Sequence, residues 1–150
     1  MVTAENVQII VRGDSGFCRE QIMLWCERNN VDYVFGLAKN ERLKKEIAKE
    51  LQQAKELYEQ TFQAARVFKD FEYKTLKSWS KSRRVVGKAE HLQKGANPRF
   101  VVTSLSTEQF DAKTLYEDQY YGLVSNNLFL NRDKIHISRF YPSQADYIVG

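Results

Sequence analysis

Cysteine and histidine are scarce in this chain, which has two of each among 150 residues. Cys18 and Cys26 stand eight residues apart, without CxxC spacing or a neighbouring histidine, so neither a disulfide framework nor a zinc site is indicated. We expect both to behave as small, partly buried apolar side chains. His91 is a lone histidine beside Glu90, and a structural role is favoured over a catalytic or metal-binding one.

Long apolar runs are also absent. No segment approaches the roughly 20 apolar residues that span a bilayer, and the first residues lack the basic-then-apolar pattern of a signal peptide. We therefore expect a cytoplasmic protein with no membrane partner. A length of 150 residues fits one domain with a sizeable core.

The most informative feature present is an aspartate at the end of an apolar stretch, VQIIVRGDSGF over residues 7–17. The β-branched residues before Asp14 suit a strand that is buried on both faces. In open α/β sheets, ligands bind beyond the carboxyl ends of such strands. Asp14 is therefore a candidate metal ligand, but an aspartate in a strand-to-helix turn is also a common helix cap. The local sequence leaves both interpretations open.

Helical and strand patterns alternate along the first part of the chain and predict a parallel βαβ unit followed by further elements. Charges on the long second helix are balanced, as on a solvated face. The predicted elements are a helix over 19–29, a strand over 32–38, a helix capped by Asn40 and running to Tyr58, antiparallel strands between residues 66 and 105, and a helix over 107–120 that opens with a capping-box pattern at Ser106 and Gln109.

Positive charge is concentrated between residues 66 and 99, where ten bases face three acids, a net of plus seven against plus four for the whole chain. Such an excess attracts phosphate backbones, so we favour a nucleic-acid contact. Trp79, between basic residues, either stacks on a base or wedges into a duplex or, as we favour, anchors the hairpin in the core. The candidate DNA contacts are Lys74, Lys77, Trp79, Lys81, Arg83, Arg84 and Lys88.

Five blocks together resemble bacterial insertion-sequence transposases of the DDE class, in unbroken order over nearly all of residues 7 to 121. The blocks are RGDSGFCRE (12–20), VDYVFGLAKN (31–40), RRVVGKAEHL (83–92), GANPRFVVTSL (95–105) and LYEDQYY (115–121).

The resemblance implies an α/β fold, a partial RNase H-like core with a βαβ unit, helices and an inserted antiparallel β segment. In this class three carboxylates hold two divalent ions, Mg²⁺ or Mn²⁺, and Asp14 matches the second of the three. We expect a partial catalytic domain over 1–121, with the β insertion at about 66–105. We expect the remaining residues, 122–150, to be a divergent tail that is either frameshifted or disordered.

The other two carboxylates of the family triad are not matched. The first would lie before Met1, and the third falls near Asn127, whereas Glu117 and Asp118 precede that position by two to three helical turns. We expect this chain to be a fragment of a transposase. The intact protein would act on insertion-sequence ends, and the fragment would be inactive alone. The alternative is a non-catalytic remnant that binds DNA through the basic β segment.

The missing strands of the family core carry a consequence for packing. Apolar residues such as Ile10, Val34 and Phe35 would lack partners, which predicts an exposed sheet edge or face and a chain that aggregates or forms a homo-oligomer. The alternative is that residues 135–140 supply a substitute strand.

Overall fold

The computed structural model describes residues 8–121, 136–140 and 147–149. The strands in chain order are β1 (Gln8–Gly13), β2 (Asp32–Leu37), β3 (Ala65–Tyr73), β4 (Arg83–Leu92), β5 (Gly95–Ala96), β6 (Arg99–Thr103), β7 (His136–Phe140) and β8 (Tyr147–Val149). The helical elements are a 3₁₀ turn (Ser15–Phe17), α1 (Glu20–Arg28), α2 (Glu41–Glu46), α3 (Ala48–Thr61), α4 (Ala112–Thr114) and a π-helix (Leu115–Tyr121).

All described strands belong to one mixed sheet with the order β3-β4-β6-β2-β1-β7-β8, and β5 pairs with β4. The centre is the predicted parallel pair, in which Gly13 of β1 lies opposite Phe35 of β2. The antiparallel β segment continues this sheet, because β6 pairs with β2 and then with β4. The predicted α/β class, with a βαβ unit and an antiparallel segment, is confirmed.

Helices cover both faces of the sheet, and each face has its own apolar cluster. The larger cluster lies beneath α1 and the α2–α3 pair and contains Met23, Phe35 and Leu43. The smaller cluster lies beneath α4 and the π-helix and contains Ile10 and Val34. Apolar side chains therefore alternate between the two clusters along β2, as expected for a strand that is covered on both sides.

The expectation of an exposed sheet face is wrong. Ile10, Val34 and Phe35 are all fully buried. The side of β1 that faces away from β2 pairs with β7. In this pair, His136 lies opposite Arg12 and Phe140 lies opposite Gln8. The alternative prediction, a substitute strand from residues 135–140, is confirmed for His136–Phe140.

Two helix predictions need correction. The helix expected from Asn40 to Tyr58 is capped as predicted, since the Asn40 side chain accepts from Leu43 N at 2.8 Å, but it divides at Ile47. That residue has φ −114° and ψ 21°, and its fully buried side chain packs over Gly87, where an added Cβ would stand 2.7 Å from Ile47 Cγ2. Anchoring Ile47 on the sheet bends the chain and separates α2 from α3.

The helix expected from Thr107 begins later. Ser106 and Gln109 do bond to each other, but they close a turn and not a helix. Arg84 donates to the carbonyl oxygens of Leu105 and Phe110 and so holds the intervening segment against β4. The actual cap is Asp111, whose side chain accepts from Thr114 N at 2.8 Å.

Candidate functional site

Asp14 lies directly beyond the carboxyl end of β1, at the edge where the parallel pair β1–β2 ends. Its Oδ1 accepts from Gly16 N at 2.9 Å, so it caps the 3₁₀ turn. The side chain is half-buried, and within the described part of the chain no donor contacts its second carboxylate oxygen. Among the described residues, Asp14 is thus a cap with one oxygen that no donor occupies, which makes the two sequence interpretations compatible.

Tyr120 of the π-helix reaches the same place. A Cβ built on Gly36 would stand 2.6 Å from the Tyr120 hydroxyl oxygen, 3.1 Å from Ser15 N and 3.4 Å from the Asp14 carbonyl carbon. Burial raises the pKa of Tyr120 to about 12, and the negative charge of Asp14 acts in the same direction. The hydroxyl is therefore protonated at neutral pH and remains a hydrogen-bond donor beside Asp14.

Arg12, two residues before Asp14, secures the π-helix. It is only 1% exposed, and its guanidinium donates to both the carbonyl oxygen and the side-chain Oε1 of Gln119. Gln119 directly precedes Tyr120, so this contact fixes the helix that carries the Tyr120 hydroxyl. Sequence patterns alone did not indicate a role for Arg12; the available signal was a charged residue inside an otherwise apolar strand.

Replacing Gly36 by alanine is expected to disturb this site. The added methyl group would overlap the Tyr120 hydroxyl oxygen and press on the Asp14–Ser15 backbone, which predicts a loss of about 1–3 kcal/mol from overpacking. Urea denaturation measures the loss, and Tyr120→Phe in the Gly36→Ala background checks its cause, since removing the hydroxyl should recover part of it. No recovery would show that the backbone contact dominates.

Three predicted DNA contacts lie exposed in the loop that joins β3 to β4: Lys74, Lys77 and Lys81. Trp79, in the same loop, is only 5% exposed and packs edge-on against Tyr73, with ring centroids 5.8 Å apart. The favoured interpretation of Trp79 as a core anchor agrees with this position.

The side chains of Arg83 and Arg84 bind carboxylates of the protein itself and are not directed to solvent. Arg83 donates to both Glu20, at 2.7 Å, and Glu27, at 2.8 Å. Arg84 pairs with Asp70 at 2.6 Å and also donates to backbone carbonyl groups. Both arginines are less than a tenth exposed, and their ion pairs compensate their charges within the fold. A nearby cleft of about 590 Å³ is lined by three acids and three bases, Glu27, Asp70, Glu72, Lys81, Arg83 and Arg84, among other residues.

The strand register separates the β3–β4 loop from Asp14. Arg84 pairs with Thr103, and Thr103 pairs with Val34 near the start of β2. The loop therefore lies at the edge where β2 begins, whereas Asp14 lies where β1 ends. The separation is on the order of 15 Å, given about 3.3 Å per strand residue.

Lys88 is the predicted DNA contact that lies toward the Asp14 edge. Its ammonium group lies 3.3 Å from Glu90 and 5.0 Å from the ring centroid of Tyr116. Burial lowers the pKa of Lys88, although Glu90 opposes this shift. Tyr116 in turn contacts Tyr120, with ring centroids 5.7 Å apart, so Lys88 and Asp14 are linked through two tyrosines.

The Arg83 ion pairs predict an acid limit to stability. The hydrogen bond from Arg83 lowers the pKa of Glu20 from 4.5 to about 2. Because the folded-state pKa is depressed, this stabilisation is complete above pH 4.5 and is lost as the pH falls towards 2. Urea midpoints between about pH 7 and pH 2.5 should therefore fall less steeply in Glu20→Gln than in the wild type. Glu59→Gln, an exposed α3 carboxylate, should keep the wild-type slope, and a wild-type slope in Glu20→Gln would contradict this assignment.

Asp14 fits a divalent metal site as a single carboxylate ligand. Carboxylate oxygens are the ligands that Mg²⁺ and Mn²⁺ prefer. Among the described residues, however, no three His, Cys, Asp or Glu side chains come close enough to hold a metal ion. The position predicted for a third acid, near Asn127, lies outside the described residues.

Comparison with protein families gives one match. The family described as Transposase DDE domain group 1 matches residues 2–137, and the chain therefore belongs to this family. None of the curated proteins or solved structures matches the chain. Family membership makes DNA the expected substrate class and a divalent metal the expected cofactor class. In the described part of the chain, every helix is too short or too polar to cross a membrane.

Proposed function

We propose that this chain carries the second carboxylate of a DDE transposase site, which in the intact protein cleaves DNA at insertion-sequence ends and joins the strands. The observation that carries the proposal is the position of Asp14 beyond the carboxyl end of a strand in a parallel pair, with one carboxylate oxygen that no donor contacts among the described residues. In two-metal phosphoryl transfer, a pair of divalent ions stabilises the attacking and leaving oxygens. We propose Mg²⁺ or Mn²⁺ as the cofactor.

We further propose that the chain is inactive by itself. Carboxylates must neutralise and position both ions of such a site, and one aspartate cannot do so alone. Asp14 is the one carboxylate of the family triad that this sequence matches. Residues 1–121 would then be the partial catalytic domain, with the β insertion at about 66–105, and 122–150 the divergent tail.

A strand-cleavage assay tests the inactivity. The purified chain is incubated with supercoiled plasmid DNA in Mg²⁺ or Mn²⁺, beside the Asp14→Ala variant. We expect equal, background levels of nicking from both proteins. Robust nicking by the wild type that disappears in Asp14→Ala would overturn the inactivity and retain Asp14 as a catalytic residue.

The β3–β4 loop supports the second candidate, a non-catalytic DNA-binding function. Residues 74–82 contain three exposed lysines and no acid, and only Lys81 has an ion pair in the described structure, with Glu27 at 3.4 Å. Because Arg83, Arg84, Lys88 and Trp79 are buried, this proposal depends on Lys74, Lys77 and Lys81. An exposed cationic loop of this kind suits a phosphate backbone.

Binding to duplex DNA at several salt concentrations tests the loop. Replacing all three loop lysines by glutamine should reduce the slope of log affinity against log salt by about three, or roughly one for each phosphate that is no longer neutralised. The matched control replaces three exposed helix lysines, Lys45, Lys49 and Lys55, and should leave the slope unchanged. Equal reductions in both triple variants would mean that net charge, not the loop, governs binding.

A further inference from the structure

Arg99 lies at the same edge of the sheet as Asp14. It is the first residue of β6 and pairs with Lys88 of β4, and the next residue, Phe100, pairs with Leu37 at the end of β2. Asp14 follows β1, whose last residue, Gly13, pairs with Phe35. The register therefore brings Arg99 and Asp14 to the edge where β1 and β2 end, away from the β3–β4 loop.

The charge of Arg99 is uncompensated in the part of the chain that the structure describes. On β3 and β4, Arg66 pairs with Glu90, Arg83 with Glu20 and Glu27, and Arg84 with Asp70. Arg99 is exposed and forms no ion pair or hydrogen bond among the described residues. Within the described part of the chain, its guanidinium donors are thus available to a ligand from solvent.

Arg99 and Asp14 both act on the hydroxyl group of Tyr120. Burial raises the pKa of this hydroxyl, the Asp14 charge raises it further, and the Arg99 charge opposes both. The Arg99 charge also acts on Lys88, whose pKa is lowered mainly by burial. Arg99 therefore lies close enough to Tyr120, the residue beside Asp14, for its charge to act on it.

We propose that Arg99 binds a DNA backbone phosphate adjacent to the phosphodiester that is presented to Asp14. A guanidinium group offers parallel N–H donors that match two phosphate oxygens, and an exposed arginine at a strand start can reach a duplex lying across the edge. This inference rests on the proposed function, because it assumes that DNA approaches Asp14. It adds a DNA contact separate from the β3–β4 loop.

Single substitutions at Arg99 test the inference. Fluorescence anisotropy with a labelled duplex of about 20 base pairs gives affinity at several salt concentrations. Arg99→Gln should weaken binding about five- to tenfold and reduce the salt slope by about one. Arg99→Lys, which keeps the charge, should retain the wild-type slope. Lys49→Gln removes one exposed charge from α3 and should leave the affinity and slope unchanged. Equal thermal midpoints would show that all variants are folded.

The outcomes distinguish a failure of this inference from a failure of the proposed function on which it rests. If the wild type does not bind duplex DNA at low salt, the DNA-binding function itself fails. If the wild type binds but Arg99→Gln matches Lys49→Gln, Arg99 is not a phosphate contact and the broader function stands. If Arg99→Lys loses as much slope as Arg99→Gln, the effect is not one of charge, and the inference is overturned.

Discussion

Replacing Arg83 by alanine is expected to destabilise the chain by about 3 kcal/mol, the lower end of the range for breaking a buried ion pair. Arg83 is 4% exposed and is held by two carboxylates. Its removal would leave Glu20 without its cation and Glu27 with only the largely exposed Lys81. We choose the lower end because both glutamates are partly solvated and can recover some hydration.

The removal of Arg83 should also destabilise the β3–β4 loop. Glu20 accepts from Ser80 N at 3.0 Å as well as from Arg83, and the Arg83 guanidinium lies 5.5 Å from the Trp79 ring centroid. The same arginine therefore ties α1, β4 and the loop together. In Arg83→Ala we expect Trp79 fluorescence to change at lower urea than in the wild type.

Lys81→Ala is the matched control for Arg83→Ala, because Lys81 pairs with the same Glu27 at 3.4 Å but is largely exposed. A surface pair contributes less than about 1 kcal/mol. Urea unfolding should therefore separate the two variants by about 2 kcal/mol. Similar losses from both would show that the burial of Arg83 does not set its contribution.

Replacing Arg12 by alanine is expected to cost about 3 kcal/mol, from the cavity that the side chain leaves and the partly buried acceptors of Gln119 that lose their donor. Arg12 is among the largest fully buried side chains in the described structure. Relief from burying its charge offsets part of the cost. The substitution should loosen the π-helix directly, because the Arg12 guanidinium donates to Gln119 of this helix.

Amide hydrogen exchange measures that local effect. In Arg12→Ala, amides of residues 115–121 should exchange faster than those of β4, whose strand pairing does not depend on Arg12. Arg19→Ala removes an exposed arginine near the same turn and should change neither stability nor exchange by a measurable amount. Uniformly faster exchange in Arg12→Ala would indicate global unfolding and contradict a specific role in holding the π-helix.

The position of Asp14 could be predicted because it depends on local sequence. A β-branched run ending in Arg-Gly-Asp-Ser-Gly specifies a buried strand and a tight turn, and the polar residue at their junction must lie at the sheet edge. The Asn40 cap could be predicted for the same reason, because its partner, Leu43, is three residues away.

The environment of the arginines could not be predicted from local sequence. Arg83 and Arg84 contribute to a positive segment, but Arg83 pairs with Glu20 and Glu27, which are 63 and 56 residues earlier. A local charge count contains no information about such partners. The division of the long helix at Ile47 likewise depends on Gly87, a residue of β4 that is distant in sequence.

The most direct test of the central claim is whether Asp14 binds a divalent metal. Mn²⁺ broadens NMR signals near its binding site, and a chain of 17.6 kDa is small enough for amide spectra. We expect millimolar or weaker binding that broadens the amides of Gly13 to Gly16. Asp14→Asn should abolish this effect while preserving the turn, because asparagine can also accept from Gly16 N. Unchanged broadening in Asp14→Asn would contradict the assignment of Asp14 as a metal ligand.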